Sequence, residues 1–167
     1  MKKLLIAIIA FLAISVATVE AQPRAIGARV GYGVEASYQH SIGNNMVSVD
    51  FGLPAFPGIE AAATYDWIFP ITSWTEAGEW NWYAGVGAGG GYNWAHPLVI
   101  GYSIPYGPYG FVGLAGRIGV EYNFEFPLQL SLDWRPIIGP AFDSGSVYFN
   151  FGSLYAGACS LGVRYRF

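Results

Sequence analysis

The chain has 167 residues, of which 53% are hydrophobic, 17% are aromatic and 11% are charged, and its formal net charge is −3 at pH 7. This length allows one compact domain and hardly two. The sequence has no basic stretch, which excludes nucleic acid as a partner. Cys159 is the only cysteine, so an intramolecular disulfide is excluded as well.

The N-terminal segment has the pattern of an export signal. Lys2 and Lys3 precede the apolar run LLIAIIAFLAISV, and a small-residue cleavage pattern ends at Ala21. The apolar run is short for a membrane-spanning helix, although a retained N-terminal anchor is the alternative. We therefore predict a cleaved signal peptide over residues 1–21 and an exported domain over residues 22–167.

Beyond residue 21 the sequence has no apolar run long enough for a spanning helix. Instead, apolar side chains alternate with small, polar or charged ones, which is the period of a β-strand with two different faces. The alternation is clear in seven segments, 26–40, 46–53, 59–69, 80–92, 109–124, 128–135 and 154–167. Since lipid cannot satisfy free backbone groups, the pattern predicts an all-β fold, an eight-stranded antiparallel transmembrane β-barrel with up-and-down meander topology.

The sequence leaves two sources for the eighth strand. Segment 26–40 can split at Gly31-Tyr32-Gly33, which pairs Val30 with Val34, or residues 146–151 can form a strand. Residues 138–146 are expected to be a loop in both cases. With the split, 125–127 becomes a short periplasmic turn, and 93–108 and 138–153 become long extracellular loops. Barrels usually have short periplasmic turns and longer outer loops, which favours the split.

Two stretches carry a resemblance to a known family. GVEYNFEFPLQLSLDWRP (119–136) and SLGVRYRF (160–167) resemble the small outer-membrane barrels of the OmpA-transmembrane and OmpX type. The resemblance implies an eight-stranded barrel with both termini in the periplasm. It also implies a C-terminal signal, here Val163, Tyr165 and Phe167, that the outer-membrane insertion machinery reads. This sequence departs from OmpA in having no peptidoglycan-binding domain after the barrel, so a role in cell-wall tethering is not carried over.

The alternation puts most charged residues on the inward face. They are Arg29, Glu35, Asp50, Glu60, Asp66, Arg117, Glu121, Asp133, Arg135, Arg164 and Arg166. An eight-stranded barrel is just wide enough inside to be filled by side chains, and unpaired charges are costly there. We therefore predict a structural ion-pair network that plugs the lumen, in which the arginines of the last segment reach Asp133, Glu121 and Glu35. A narrow, porin-like path for ions or small solutes is the alternative.

A lipid A-modifying enzyme is the second alternative, because such enzymes occur among small outer-membrane barrels and need a His–Ser pair with an acid. His40 and Ser41 are adjacent, but neighbours on a strand point to opposite faces. The His-x-Ser-Asn pattern of deacylases is absent, and His96 has no nearby Ser or acid. We predict no catalytic residue, no metal site and no cofactor, and we place Cys159 on the apolar face of the last strand.

The long connection 93–108 contains aromatic residues among glycines and prolines. Trp94, His96, Tyr102 and Tyr106 are candidates for a surface that contacts an extracellular protein or glycan, or for an aromatic girdle at the lipid headgroups. We expect a monomeric, non-enzymatic barrel in the outer membrane of a Gram-negative bacterium. It would be surrounded by outer-membrane lipids and lipopolysaccharide, with a structural and surface-interaction role.

Overall fold

The computed structural model describes residues 24–54, 58–74, 77–94, 108–150 and 158–167. The strands in these ranges are β1 (Arg24–Gly31), β2 (Gly33–Ile42), β3 (Asn45–Pro54), β4 (Gly58–Pro70), β5 (Glu79–Asn93), β6 (Tyr109–Asn123), β7 (Leu128–Trp134), β8 (Ile137–Phe142), β9 (Val147–Asn150) and β10 (Cys159–Arg166). The predicted signal peptide lies outside the described residues, so its boundary stays a prediction. Among the described residues, no helix is long and apolar enough to cross a membrane.

The strands form one closed, antiparallel, eight-stranded barrel in meander order. Each strand from β1 to β6 pairs with the next, and β10 pairs with β1 to close the sheet. β7 and β8 both pair with β6 and together make the seventh barrel strand. β9 pairs with β8 and β10 pairs with β7, so these two make the eighth. The predicted all-β barrel is therefore confirmed.

The split of segment 26–40 is also confirmed. β1 ends at Gly31, β2 begins at Gly33, and Val30 lies opposite Val34. Residues 147–150 are in a strand as well, but they belong to the same barrel strand as β10. Both segments considered for the eighth strand thus contain strand residues, but only the split of segment 26–40 adds a separate strand to the barrel.

The predicted loop over residues 138–146 is wrong, and with it the long outer loop over 138–153. Ile137–Phe142 is a strand that continues the register of β7 against β6, with Ile138 opposite Leu114. Gly139 and Pro140 have the composition of a turn, but a proline removes only one donor from a ladder and is tolerated where pairing is interrupted.

The actual connection between β8 and β9 is the short turn 143–146. The Asp143 carboxylate accepts hydrogen bonds from the amide N–H groups of Gly145 (3.1 Å) and Ser146 (3.0 Å). An Asp side chain that binds the backbone two and three residues ahead stabilises a turn locally. Within the predicted loop 138–146, only the last residues, 143–146, therefore form a turn.

The two ends of the barrel differ in their connections. One end, called the terminal end below, carries the start of β1, the end of β10, the turn at Gly43-Asn44 and the connections 71–78 and 124–127. The opposite end carries Tyr32 and the connections 55–57, 94–108 and 143–146. Gly43 has a φ of 59°, which a two-residue hairpin turn needs and which glycine adopts without strain.

The strands are strongly staggered. A row of directly paired residues that starts at the terminal end of β2 climbs around the barrel to the opposite end, beside Gly31 of β1. The row is Ile42, Asn45, Trp67, Ala84, Ile118, Trp134 and Cys159. Such stagger tilts the strands and is what allows a narrow barrel to close.

The outer and inner faces of the sheet have opposite chemistry. Large apolar side chains are exposed on the outer face, among them Phe51 (57%), Val86 (59%) and Leu114 (76%). Charged and polar side chains are buried inside, and Arg29 and Arg164 are among the largest fully buried side chains of the described residues. The core of this protein is therefore polar, and its surface is apolar.

Candidate functional site

The lumen contains three groups of side chains. A small apolar cluster of Ala62, Ala115 and Ile137, with Phe111 packed against it, lies towards the end opposite the termini. An ion-pair cluster fills the middle and consists of Arg29, Glu35, Asp50, Glu60, Asp66, Arg117, Asp133 and Arg135. A carboxamide cluster lies at the terminal end and consists of Asn81, Asn123 and Gln129 around Glu121.

Asp50 is the centre of the ion-pair cluster. Its Oδ2 lies 3.4 Å from Nη1 of Arg29, 3.7 Å from Nη1 of Arg117 and 3.6 Å from Nε of Arg135. Its Oδ1 accepts a hydrogen bond of 2.6 Å from Ser37 Oγ. One carboxylate thus neutralises parts of three guanidinium groups from different walls of the barrel, in an interior where an uncompensated charge is strongly destabilising.

Asp133 forms the second junction. It pairs with Arg29 and, at 3.1 Å, with Nη2 of Arg117. Its Oδ2 also accepts a hydrogen bond of 3.1 Å from the hydroxyl of Tyr83, a side chain with no exposed surface. The guanidinium of Arg117 lies 5.3 Å from the centre of the Tyr83 ring, within the range of a cation–π contact. Asp133 and Arg117 are therefore held in place by their ion pair, by the hydrogen bond from the Tyr83 hydroxyl and by the contact of the guanidinium with the Tyr83 ring.

The remaining carboxylates extend the cluster across the lumen. Nη2 of Arg135 lies 2.6 Å from Glu35 and 3.0 Å from Glu60, which come from β2 and β4. On the other side, Nη1 of Arg117 lies 3.5 Å from Asp66, whose Oδ2 also accepts hydrogen bonds from Ser48 and Thr64. These pairs join opposite walls, so the middle of the lumen is bridged by side chains.

Arg164 departs from the predicted pairing. It is buried, yet in the described part of the chain no carboxylate lies within ion-pair distance of it. Instead it donates to Ser37 Oγ (2.9 Å), Ser131 Oγ (2.8 Å) and Gln129 Oε1 (3.3 Å). Gln129 Nε2 in turn donates to Glu121 Oε2 at 3.1 Å. Arg164 therefore reaches Glu121 only through Gln129 and makes no ion pair with Asp133, Glu121 or Glu35 among the described residues, because alternation assigns a residue to a face but not to a height in the lumen.

A cavity of about 370 Å³ lies at the terminal end, below the ion-pair cluster. Glu121 and Arg166 both line it, and neither makes an ion pair with any of the described residues. Gln39 and Asn123 line it as well, and their side-chain atoms Gln39 Nε2 and Asn123 Oδ1 have no hydrogen-bond partner among the described groups. This region therefore holds polar groups whose hydrogen-bonding capacity is not used by the described residues.

Inward-facing glycines leave the space that the large lumen side chains occupy. A Cβ on Gly119 would lie 2.6 Å from both the Tyr83 ring and Asp133 Cβ. A Cβ on Gly162 would lie 2.6 Å from Nη1 of Arg164. Such distances are too short for carbon atoms in a packed interior. The strand glycines next to the ion-pair cluster are thus part of its construction.

Of the predicted inward residues, all except Glu60 and Arg166 are buried, and those two are partly buried. Sequence reasoning selected charged residues and missed the neutral partners that complete the cluster. These are Ser37, Ser48, Thr64, Tyr83, Gln129 and Ser131. All of them occupy inward positions of the same alternation. The sequence pattern therefore predicts their inward direction too, but only charged residues were considered as members of the network.

The described residues that were predicted for other roles lie outside the lumen. Val163, Tyr165 and Phe167 are exposed at the outer face and end of β10. Cys159 is also exposed on that strand. Of the predicted contact residues, Trp94 is exposed beside the end of β5. His96, Tyr102 and Tyr106 lie outside the described residues.

His40 and Ser41 lie on opposite faces of β2. Nδ1 of His40 lies 3.5 Å from the hydroxyl of Tyr38, its neighbour on the outer face of β2. Ser41 lines the terminal cavity on the inner face. Over the ranges that the structure describes, no group of three or more His, Cys, Asp or Glu side chains could hold a metal ion.

No protein-family model matches the chain, and no curated protein matches it either. The resemblance to OmpA-type and OmpX-type barrels therefore stays a prediction from segments 119–136 and 160–167.

Proposed function

We propose that the chain is a small integral outer-membrane β-barrel protein of a Gram-negative cell envelope, with a side-chain-filled polar lumen and a structural and surface-interaction role. One observation carries the proposal. The outer face presents large apolar side chains such as Val86 and Leu114, while the charges are buried inside. Water would be a poor solvent for that surface, whereas lipid suits it, and a closed barrel leaves no strand edge unpaired in lipid.

Aromatic side chains at the terminal end support a membrane interface there. A continuous row of ring contacts, with centroid distances of 4.5–5.2 Å, runs through Trp74, Trp80, Tyr122, Phe124 and Phe126. Tyr165 and Phe167 stack at 6.4 Å on the same end. Aromatic girdles are typical of the headgroup regions that flank the apolar band of a transmembrane barrel.

Membrane fractionation tests the location. The full chain, expressed in a Gram-negative host, should appear in the outer-membrane fraction, require detergent for extraction, and shift in electrophoretic mobility on boiling because a folded barrel resists unfolding by detergent. Recovery in the inner-membrane or soluble fraction, or a helical circular dichroism spectrum of the purified protein, would overturn the proposal.

The orientation has a direct test with paired insertions. With both termini in the periplasm, the turn 143–146 faces the cell surface and the connection 124–127 faces the periplasm. A protease-cleavable tag inserted after Gly145 should be cut on intact cells, and the same tag after Glu125 should be cut only after the outer membrane is permeabilised. The reverse pattern would invert the topology.

The filled lumen has a test that separates it from a channel. Because Arg29, Arg117 and Arg135 bridge opposite walls through carboxylates, the purified protein should give no stable single-channel steps in a planar bilayer. Stable steps that disappear or change size in Arg135→Ala would show conduction through this network and overturn the plug.

The non-enzymatic part of the proposal is tested by mass spectra of lipid A from cells with and without the protein. Unchanged acyl chains are the expected result, since His40 and Ser41 lie on opposite faces. A reproducible loss or gain of one acyl chain that depends on the protein would identify an enzyme instead.

The surface-interaction role is assigned to the end that carries the connection 94–108. Binding of whole cells to immobilised matrix proteins and glycans should depend on the protein and should fall in Trp94→Ala. Trp74→Ala is the matched control, because Trp74 is an exposed tryptophan at the terminal end. Equal loss in both variants, or no dependence on the protein, would count against this role.

A further inference from the structure

The terminal cavity has two chemically different walls. On the β5–β6 wall, Glu79 lies opposite Asn123 and Asn81 lies opposite Glu121 in directly paired positions, and all four line the cavity. Two of these side chains are carboxylates, and no arginine of the described residues pairs with either of them. This wall therefore carries two acidic side chains that have no cationic partner among the described residues.

The acidic wall retains an unused acceptor. Asn81, Asn123 and Gln129 all direct their amide N–H groups to the Glu121 carboxylate, at 3.1–3.3 Å. The carbonyl oxygen of Asn123 has no hydrogen-bond partner in the described part of the protein, although the residue is only 6% exposed. A buried acceptor without a donor is costly, and a ligand that donates hydrogen bonds would satisfy it.

The opposite wall offers donors. Ala25 of β1 pairs with Gln39 on one side and with Arg166 on the other, so these two side chains flank it on the inner face. Gln39 is 4% exposed, and its Nε2 has no acceptor among the described groups. Arg166 makes no ion pair there, and its guanidinium is therefore available to an anion.

We propose that the terminal cavity binds a small zwitterion, a molecule of amino-acid or dipeptide size with an ammonium group and a carboxylate. The ammonium group faces the Glu121 carboxylate and the side-chain oxygen Oδ1 of Asn123. The carboxylate faces the Arg166 guanidinium and the side-chain nitrogen Nε2 of Gln39. The volume of about 370 Å³ falls in the range of small-ligand sites, and it is too small for a folded partner. The site goes beyond a structural barrel, because Glu121 and Arg166 line one cavity and have no ionic partner among the described residues, unlike the carboxylates and arginines of the ion-pair cluster.

The test uses the dipeptide alanyl-alanine and two capped analogues, measured by calorimetry or NMR titration of the folded barrel in detergent micelles. Alanyl-alanine should bind saturably with a Kd of about 1 mM or tighter. N-acetylation removes the ammonium charge and C-terminal amidation removes the carboxylate. Each cap should weaken binding about tenfold or more, which corresponds to the loss of one charged contact.

Variants assign the two poles. Glu121→Gln and Arg166→Gln should each weaken alanyl-alanine binding. Glu121→Gln should also bind the N-acetylated analogue as tightly as the free dipeptide, and Arg166→Gln should bind the C-amidated analogue as tightly as the free dipeptide. Glu125→Gln is the matched control, since Glu125 is exposed on the neighbouring turn outside the cavity. Gln39→Leu provides a second variant that changes no charge, should Glu121→Gln fail to fold.

Several results would overturn the proposal. One is the absence of saturable binding at ligand concentrations about tenfold above the expected Kd. Another is equal binding of the dipeptide and both capped analogues, which would indicate non-specific partition into the micelle. If C-terminal amidation leaves the affinity unchanged while N-acetylation weakens it, the cavity is a simple cation site, and the zwitterion proposal is rejected.

Discussion

The middle of the lumen and its terminal end use the same residue types in different ways. In the middle, Asp50 and Asp133 each contact two or three arginines, and the bridges run from wall to wall. At the terminal end, Glu121 is held only by carboxamides and Arg166 has no ionic partner in the described chain. Paired charges close the middle and stabilise it, whereas unpaired charges leave the terminal end able to bind something else.

Arg164 lies between these regions and provides the sharpest single comparison. Arg117→Met should destabilise the protein by about 3–5 kcal/mol, because it leaves Asp66 and Asp133 short of a buried cation. Arg164→Met should cost only about 1–2 kcal/mol, because its partners are hydroxyls and a carboxamide. Equilibrium urea unfolding from phospholipid vesicles measures both, and equal costs would mean that the ion pairs of Arg117 are not what distinguishes the middle of the lumen.

The sequence predicted the inward face of the barrel well but not the pairing inside it. Alternation assigns Arg29, Asp50 and Asp133 to the lumen, because side-chain direction in a strand depends only on position along the chain. The pairing of Asp50 with three arginines depends on the stagger of the sheet, which no local pattern encodes. For the same reason the sequence could not show that Arg164 meets Gln129 and Ser131 instead of a carboxylate.

A second limit concerns composition. Gly139 and Pro140 indicate a turn by residue type, yet they lie in β8, because the residues on both sides of them pair with β6 and they themselves pair with β9. Tertiary pairing here overrides local propensity. The split at Gly31–Gly33 was predictable, because the apolar positions Val30 and Val34 fall opposite each other only if the chain turns between them.

Packing against the ion-pair cluster gives the next largest effect. In Gly119→Ala the new methyl group would lie 2.6 Å from Tyr83 and from Asp133 Cβ, so the variant should lose about 1–3 kcal/mol from overpacking. Gly116→Ala is the control on the same strand, because its nearest neighbour would be Pro136 Cγ at 3.9 Å. Urea unfolding from phospholipid vesicles measures both variants. Similar stabilities of the two would show that Tyr83 and Asp133 can move to accommodate the methyl group at little cost.

The rim of the terminal cavity should tolerate change better than the middle of the lumen. Gly43→Ala places an L-residue at a φ of 59° in open space, so only backbone strain opposes it, at about 1 kcal/mol. Gly145→Ala is the matched control, a turn glycine with open space and no positive φ. Its stability should equal that of the unchanged protein. A loss as large as that of Gly119→Ala would show that the rim is coupled to the cluster above it.

The smallest effect is expected at the cavity charges themselves. Arg166→Gln removes a guanidinium that has no ion pair in the described structure, so the free energy of unfolding should change by about 0.5 kcal/mol or less. Asp66→Asn, which removes a paired charge beside Arg117, should cost several times more and serves as the internal standard. If Arg166→Gln instead proves as costly as Asp66→Asn, the guanidinium belongs to the stabilising network. A small cost together with weaker dipeptide binding would mean that this charge acts on a ligand and contributes little to the fold.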